Sequence, residues 1–202
     1  MNIKQYAEQA SLLKREADQL LADLALIDIF ARFGVVHLTG SYKYDLMTRR
    51  DIDVCVEMAN PSEEMLFDMG VAIAALPHVG SMYFRNEYVL RTPGNPLAMF
   101  WVVDVYRPGG DKWTVDILVS TPAEVKRVID AGAEQLHGLD PEKRACILEI
   151  KGHLTATKDY RKTYKSTDIY EAVMKGGVKD LAGWNAWWKH VAIKSPGTRN
   201  TP

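Results

Sequence analysis

The chain has little cysteine, no long apolar run, no internal repeat and no excess of charge of either sign. Cys55 and Cys146 are the two cysteines among 202 residues. They lie far apart among apolar neighbours, without metal-ligand spacing, which argues against a disulfide scaffold or a zinc site and for two buried thiols in a reducing compartment. No uninterrupted apolar stretch is long enough to cross a bilayer. The first segment, "MNIKQYAEQASLLKREADQL", is amphipathic and mixed in charge and lacks the apolar core of a signal peptide. We therefore expect a cytoplasmic protein with no membrane association. The formal net charge is −1, so any case for a polyanionic partner must rest on a local patch.

What is present suits an ordinary folded domain. The chain is 47% hydrophobic and 25% charged, enough apolar material to stabilise a core without staples. Leu13, Ala17, Leu20, Leu21, Leu24, Ile27 and Phe30 fall at helical spacing, which predicts one helix over about 3–33 ended by Gly34. Short strands are predicted at 35–38 and 51–57. Asn60-Pro61, Thr121-Pro122 and Asp140-Pro141 each place a capping side chain before a proline, predicting helices over about 61–76, 121–137 and 141–160. Between the first two lie strand-like segments at about 79–91, 97–106 and 112–119, and "RPGGDK" reads as the turn of a hairpin joining the last two. Beyond residue 120 the chain reads as helical. A helix from Ser166 or Thr167 runs to Val173, and a last helix carries Trp184, Trp187 and Trp188. The expected fold is α/β (α+β), a small mixed sheet flanked by helices over 1–120, a helical domain over 121–194 and a disordered tail over 195–202.

The stretch "VHLTGSYKYDLMTRRDIDVCVEM" concentrates the chemistry. Side chains alternate along a strand, so Asp51 and Asp53 face the same way. Two carboxylates that close oppose each other's ionisation, and a divalent cation, which seeks several carboxylate oxygens, removes that penalty. Alone, an Asp-x-Asp is more often a solvated strand end. Here Gly40-Ser41 closes the preceding strand, where backbone N–H groups and a hydroxyl can approach a phosphate. Lys43, Arg49 and Arg50 lie between the two elements and can offset a triphosphate's charge, although Arg50 could equally pair with Asp51.

The segment "TGSYKYDLMTRRDIDVCVE" resembles the signature of the DNA polymerase beta-type nucleotidyltransferases, a Gly-Ser followed about ten residues later by Asp-x-Asp. The small bacterial and minimal members are nearest in size, and the resemblance covers roughly residues 20–120. The loop departs from the pattern. It is bulky and basic, with Arg50 where many members have serine. The resemblance implies a third carboxylate on a later strand, and Asp104 and Asp116 both have the apolar context. With an even hairpin loop Asp104 opposes Val115, so Asp104 and Asp116 take opposite faces. "TVDILVS" better matches the third strand, which favours Asp116 and leaves Asp104 to partner an arginine.

The resemblance further implies metal-assisted nucleotidyl transfer with Mg²⁺ or Mn²⁺ as cofactor. Asp51, Asp53 and Asp116 are the implied catalytic and metal-binding set. Gly40, Ser41, Lys43, Arg49 and Arg50 are the nucleotide-binding set. A nucleoside triphosphate and a small-molecule or RNA acceptor are the expected partners. Two other readings stay open: a nucleotide-binding or regulatory module of the same fold without turnover, and an RNA-modifying enzyme acting on tRNA ends. The second draws on the basic stretch Lys143–Lys165 with Tyr160 and Tyr164, although such a run is usually a solvated helix face. Trp184, Trp187 and Trp188 read as a core contact, and Arg85 and Arg91 as surface residues more often than phosphate ligands.

Overall fold

The computed structural model describes residues 2–194; the expected tail at 195–202 lies outside them. The described residues form two compact units. One is Leu13–Ala131 and the other combines residues 2–12 with 132–194. Among the described residues, no helix is long and apolar enough to cross a membrane.

The first unit is built on a five-stranded sheet in the order β1-β2-β5-β4-β3. Its strands are β1 (Val35–Leu38), β2 (Asp51–Glu57), β3 (Val79–Asn86), β4 (Met99–Tyr106) and β5 (Lys112–Ser120). β2 and β5 run parallel, and the other neighbours are antiparallel. The sheet is mixed, as the sequence implied. Its two faces differ because the strands alternate. Trp113, Val115, Ile117 and Val119 of β5, with Ile52, Val54 and Val56 of β2, are fully buried. They pack against the second half of α1 (Ile3–Asp23), α2 (Leu26–Ala31) and α4 (Glu63–Ala74). The opposite face is covered by apolar side chains over part of its length only. There Cys55, Leu118 and Phe100 meet Val125, Val128 and Ile129 of α6 (Pro122–Gln135). The N-terminal end of β2 and the middle of β5 carry carboxylates on that face.

Several element ends differ from expectation. The first helix is two, α1 and α2, broken where Ala25 adopts a left-handed conformation at φ 47°. α4 is capped by Ser62, whose hydroxyl accepts from the Met65 amide at 3.2 Å, and not by Asn60. The strand predicted to 91 ends at Asn86, where the one-turn α5 (Glu87–Leu90) begins. Asn86 itself caps that turn, accepting from the Tyr88 amide at 3.0 Å.

Glu87 explains why the chain turns there. It is 1% exposed. Its carboxylate accepts from the Thr92 amide at 2.9 Å and Asn95 Nδ2 at 2.8 Å, and pairs with Arg85 at 2.5 Å. Burial alone would raise its pKa, but the hydrogen bonds from Asn95, Thr92 and Arg85 outweigh it and hold the group at about 2, below an ordinary 4.5. A lowered carboxylate stabilises the fold above its unfolded pKa, and that contribution fades as pH falls toward the folded one. Calorimetry of the wild type should show a melting temperature falling between pH 4.5 and 2. Glu87→Gln should melt lower at neutral pH and show a flatter decline across that window. An unchanged profile would show the network to be idle.

In the second unit, α7 (Pro141–Leu154) begins at Asp140, whose carboxylate accepts from the Lys143 amide at 2.8 Å. It is buried on several sides, through Cys146, Ile147, Leu148, Ile150, Lys151 and Leu154. α8 (Ser166–Met174) and α9 (Leu181–Lys194) complete the unit. α8 starts one residue earlier than a serine cap would set it: Lys165 holds the cap position, and its amide donates to Asp168 at 2.7 Å. Trp184 is 1% exposed and stacks on Trp188, with centroids 5.4 Å apart, while Tyr164 meets both rings edge-on. Trp184 is core, and the half-buried Trp187 and Trp188 pack against its ring. α7 stops at Leu154, six residues short of expectation, so Lys158, Arg161, Lys162 and Lys165 lie on an irregular connection and not on a helix face.

Candidate active site

β2 begins at Asp51 and pairs with β5 so that Asp53 stands directly beside Asp116 and Asp51 beside Thr114. Neighbouring strands are about 4.8 Å apart, and paired residues share a face. Asp51, Asp53 and Asp116 therefore form one acidic corner on the partly open face. Their opposite-facing neighbours, Ile52 and Val115, anchor the strands in the core.

Asp104 does not lie where the hairpin parity placed it. The turn between β4 and β5 spans residues 107–111, with Tyr106 opposite Lys112. That is an odd number, so Asp104 opposes Thr114 and not Val115. Asp104 thus shares the face of Asp116, one strand further from β2. Its partner is a lysine, not an arginine: Lys112 Nζ lies at 3.0 Å, with Thr114 Oγ1 and Ser81 Oγ at 3.1 Å. Burial raises its pKa, but these donors outweigh it and lower the pKa. Asp104 is already satisfied by its own strand neighbours.

Gly40 presses on the acidic corner from the other side. It opens α3 (Gly40–Lys43), a single turn, at φ 58°. A Cβ built there would lie 1.8 Å from Asp53 Oδ2. The preceding Thr39 is tied to the same strand, its amide donating to the Asp53 carbonyl at 2.9 Å and its hydroxyl at 3.3 Å. The Gly-Ser element and the carboxylates are therefore one structure, joined through the β1–β2 ladder.

The loop between them is held from below. Leu46 and Met47 are fully buried. Lys14 of α1 reaches Asp45 at 2.7 Å and the Tyr42 carbonyl at 3.1 Å, and the Tyr42 hydroxyl donates to Asp18 at 2.6 Å. Burial, then that carboxylate, pushes the Tyr42 phenol up to about 12. The basic residues diverge. Lys43 is exposed, with its ammonium 5.6 Å from the Tyr44 ring centre. Arg50 is taken by Glu16 at 3.1 Å and Asp111 at 3.0 Å, so its neighbour Asp51 is not its partner. Arg49 is the one that turns onto the corner, its Nη2 3.2 Å from Asp51 Oδ2. The α1 side chains Lys14, Glu16 and Asp18 were not singled out from sequence.

The sequence matches no family model and no curated protein. The fold is similar to solved structures. One is a cytoplasmic RNA terminal U-transferase, with TM-score 0.55 and 16% identity over 86% of this chain and 54% of that one. Another is the Cid1 poly(U) polymerase with MgGTP bound, with TM-score 0.60 and 16% identity over 88% and 58%. A third is a chain of the GLD-2/RNP-8 complex, with TM-score 0.54 and 12% identity over 99% and 67%. The chain shares the fold of these nucleotide-transferring enzymes. The chain spans little more than half the length of the first two.

In a nucleotidyltransferase fold the acidic corner raises the question of a metal. Three carboxylates on adjacent strands supply the hard oxygen donors that Mg²⁺ and Mn²⁺ prefer, and Gly40 leaves the Asp53 carboxylate room that a side chain would fill. The donor set fits a divalent cation. As the side chains stand, no three His, Cys, Asp or Glu among the described residues are drawn together around a metal position.

Proposed function

We propose that this protein is a divalent-metal-dependent nucleotidyltransferase that moves a nucleoside monophosphate from a nucleoside triphosphate to an acceptor hydroxyl, releasing pyrophosphate. The observation that carries this reading is the pairing of Asp53 with Asp116 beneath Gly40, with Asp51 on the same face. The acceptor we favour is an RNA end, because the similar solved proteins include an RNA terminal U-transferase and a poly(U) polymerase. The active protein is proposed to work as two domains, the sheet unit supplying the chemistry and the helical unit the acceptor contacts.

Asp51, Asp53 and Asp116 would hold Mg²⁺ or Mn²⁺, which supplies charge neutralisation of the triphosphate and a lowered pKa for the acceptor hydroxyl. Asp116 accepts the hydroxyl proton on its carboxylate as the oxygen attacks the α-phosphorus. The Gly40 and Ser41 backbone takes the phosphates at close range. Lys43 and Arg49 offset their charge, and Arg50 braces the loop through Glu16 and Asp111. The protein's share is positioning and electrostatics, the two largest sources of rate for phosphoryl transfer.

A nucleotide-binding module without turnover is the competing reading, and the Arg49–Asp51 ion pair favours it, since a cation side chain already sits on a proposed metal ligand. Incubation with each of the four labelled triphosphates, Mg²⁺ and an oligoribonucleotide decides between them. We expect extension of an RNA with an unblocked 3′-hydroxyl, none of a 3′-blocked RNA and none with chelator. Label transferred to a small molecule of cell extract, and not to RNA, would correct the acceptor and keep the reaction. Triphosphate binding with no transfer to RNA or any extract component would establish the module.

A further inference from the structure

The partly open face of the sheet continues beyond the acidic corner in a cross-strand row. Asp53 of β2 pairs with Asp116 of β5, Asp116 with Val102 of β4, and Val102 with Tyr83 of β3. Paired residues share a face, and Met82 and Phe84 on either side of Tyr83 pack into the core instead. At about 4.8 Å per strand, Tyr83 starts about 10 Å from Asp116 at the backbone. It is 62% exposed. The flanking rows are filled in different ways. On one side Cys55, Leu118 and Phe100 meet α6. On the other, Thr114 and Ser81 are bound to Asp104, which Lys112 also holds. Between them the half-buried Val102 forms a low apolar floor that ends at an exposed aromatic ring.

We infer, resting on the nucleotidyltransferase reading proposed above, that Tyr83 stacks on the terminal base of an RNA acceptor. The direction of attack carries this. In phosphoryl transfer the attacking and leaving oxygens lie roughly in line across the phosphorus. β1 and β5 flank β2 on opposite sides. Gly40 and Ser41 follow β1 directly, so the phosphates they hold, which leave as pyrophosphate, lie toward the β1 side of β2. The acceptor hydroxyl must then come from the β5 side. There it meets Asp116, the carboxylate proposed to take its proton. The nucleotide that bears the hydroxyl lies over Val102, and its base reaches Tyr83. An aromatic ring at that point holds any base, since every base has a π face. The subsite therefore supplies acceptor affinity with little base preference.

Two oligoadenylate acceptors test this with the full chain, one intact and one whose 3′-terminal ribose lacks its base. Initial rates are measured with Mg²⁺ and whichever of the four triphosphates is transferred fastest. The wild type should use the intact acceptor with a kcat/KM about fivefold or more above that for the abasic one, the scale of one base–aromatic stack. Tyr83→Ala should lose that advantage and extend both acceptors as the wild type extends the abasic one. Its KM for the triphosphate should stay within about twofold of wild type, the pattern of a contact made to the acceptor alone. Tyr83→Phe should keep the advantage, because the ring and not the hydroxyl makes the stack. Equal use of the two acceptors by the wild type overturns the stacking role and needs no variant to be read. An advantage that survives in Tyr83→Ala overturns it as well. A raised triphosphate KM in Tyr83→Ala, with acceptor use unchanged, gives the ring to the incoming nucleotide and overturns the acceptor assignment. Each of these results leaves the transfer reaction standing. Extension of neither RNA by the wild type overturns the RNA acceptor itself, and the role of Tyr83 with it. A melting temperature of Tyr83→Ala within a few degrees of wild type is the folding control, as an exposed side chain on the edge strand should give.

Discussion

Asp116→Asn should lower nucleotide transfer by about 10²–10⁴-fold, the range lost when a positioned general base is removed, while Asp104→Asn should stay within about threefold of wild type on the same scale. The two carboxylates have the same sequence context and share a face of the sheet, so the difference must come from their neighbours. Asp116 stands beside Asp53 on the parallel strand. Asparagine there keeps the shape and removes both the proton acceptor and a metal-binding charge. Asp104 stands one strand further out, beside Thr114, and receives Lys112, Thr114 and Ser81. Its charge is spent on these donors. Asp104→Asn should therefore appear as a lower melting temperature of a few degrees, because each neighbour loses a charged acceptor. Single-turnover incorporation and calorimetry on both variants separate the effects. Full transfer by Asp116→Asn, with loss in Asp104→Asn, would reverse the assignment.

The acidic corner was legible in the sequence because its information is local. A period of two places Asp51 and Asp53 together, and the buried runs around them fix β2 and β5 as interior strands. What failed was parity. "RPGGDK" announces a turn, but composition does not say how many of its residues leave the ladder. One residue more or less moves Asp104 across the sheet. The break at Ala25 was invisible for a related reason: no glycine or proline marks it, and it is set by packing on both sides. The clamp of Lys14, Glu16 and Asp18 on the loop joins residues 24–34 apart. Their helical spacing on α1 is equally that of a solvated face, so only the folded chain reveals it. Glu87 reads as an ordinary surface acid until Thr92 and Asn95 are seen to fold back on it. The basic stretch erred in the other direction. Lys151 is 4% exposed and donates to Tyr170 at 3.2 Å, and the exposed lysines and Arg161 follow the end of α7.

Gly40→Ala should abolish function by a route that leaves the fold standing. Two costs meet at this residue. Its φ of 58° lies in the left-handed region, which costs an alanine about 1 kcal/mol. The added methyl would also fall 1.8 Å from Asp53 Oδ2, 2.5 Å from its Cγ and 2.8 Å from its Cβ. The carboxylate must turn away, and because rotation leaves the Cβ contact in place, α3 must also shift slightly from β2. Asp53 is the residue that links Asp51 on its own strand with Asp116 on the next, so the corner is dismantled at its centre. Misplacing a reacting group by about 1 Å can cost about 10²-fold, and we expect at least that loss of turnover, with Mn²⁺ binding weakened in parallel. The melting temperature should drop only a few degrees, because α3 contains no buried side chain and the apolar core lies on the other face. Gly34→Ala is the contrasting control. Its methyl would meet the Glu57 carbonyl oxygen at 2.2 Å, which is backbone and cannot turn away, beside the Val35–Glu57 pairing of β1 and β2. That variant should lose stability first and activity only through it. Wild-type turnover in Gly40→Ala would mean that Asp53 has room to yield, and that the close approach of glycine to carboxylate is not what holds the corner together.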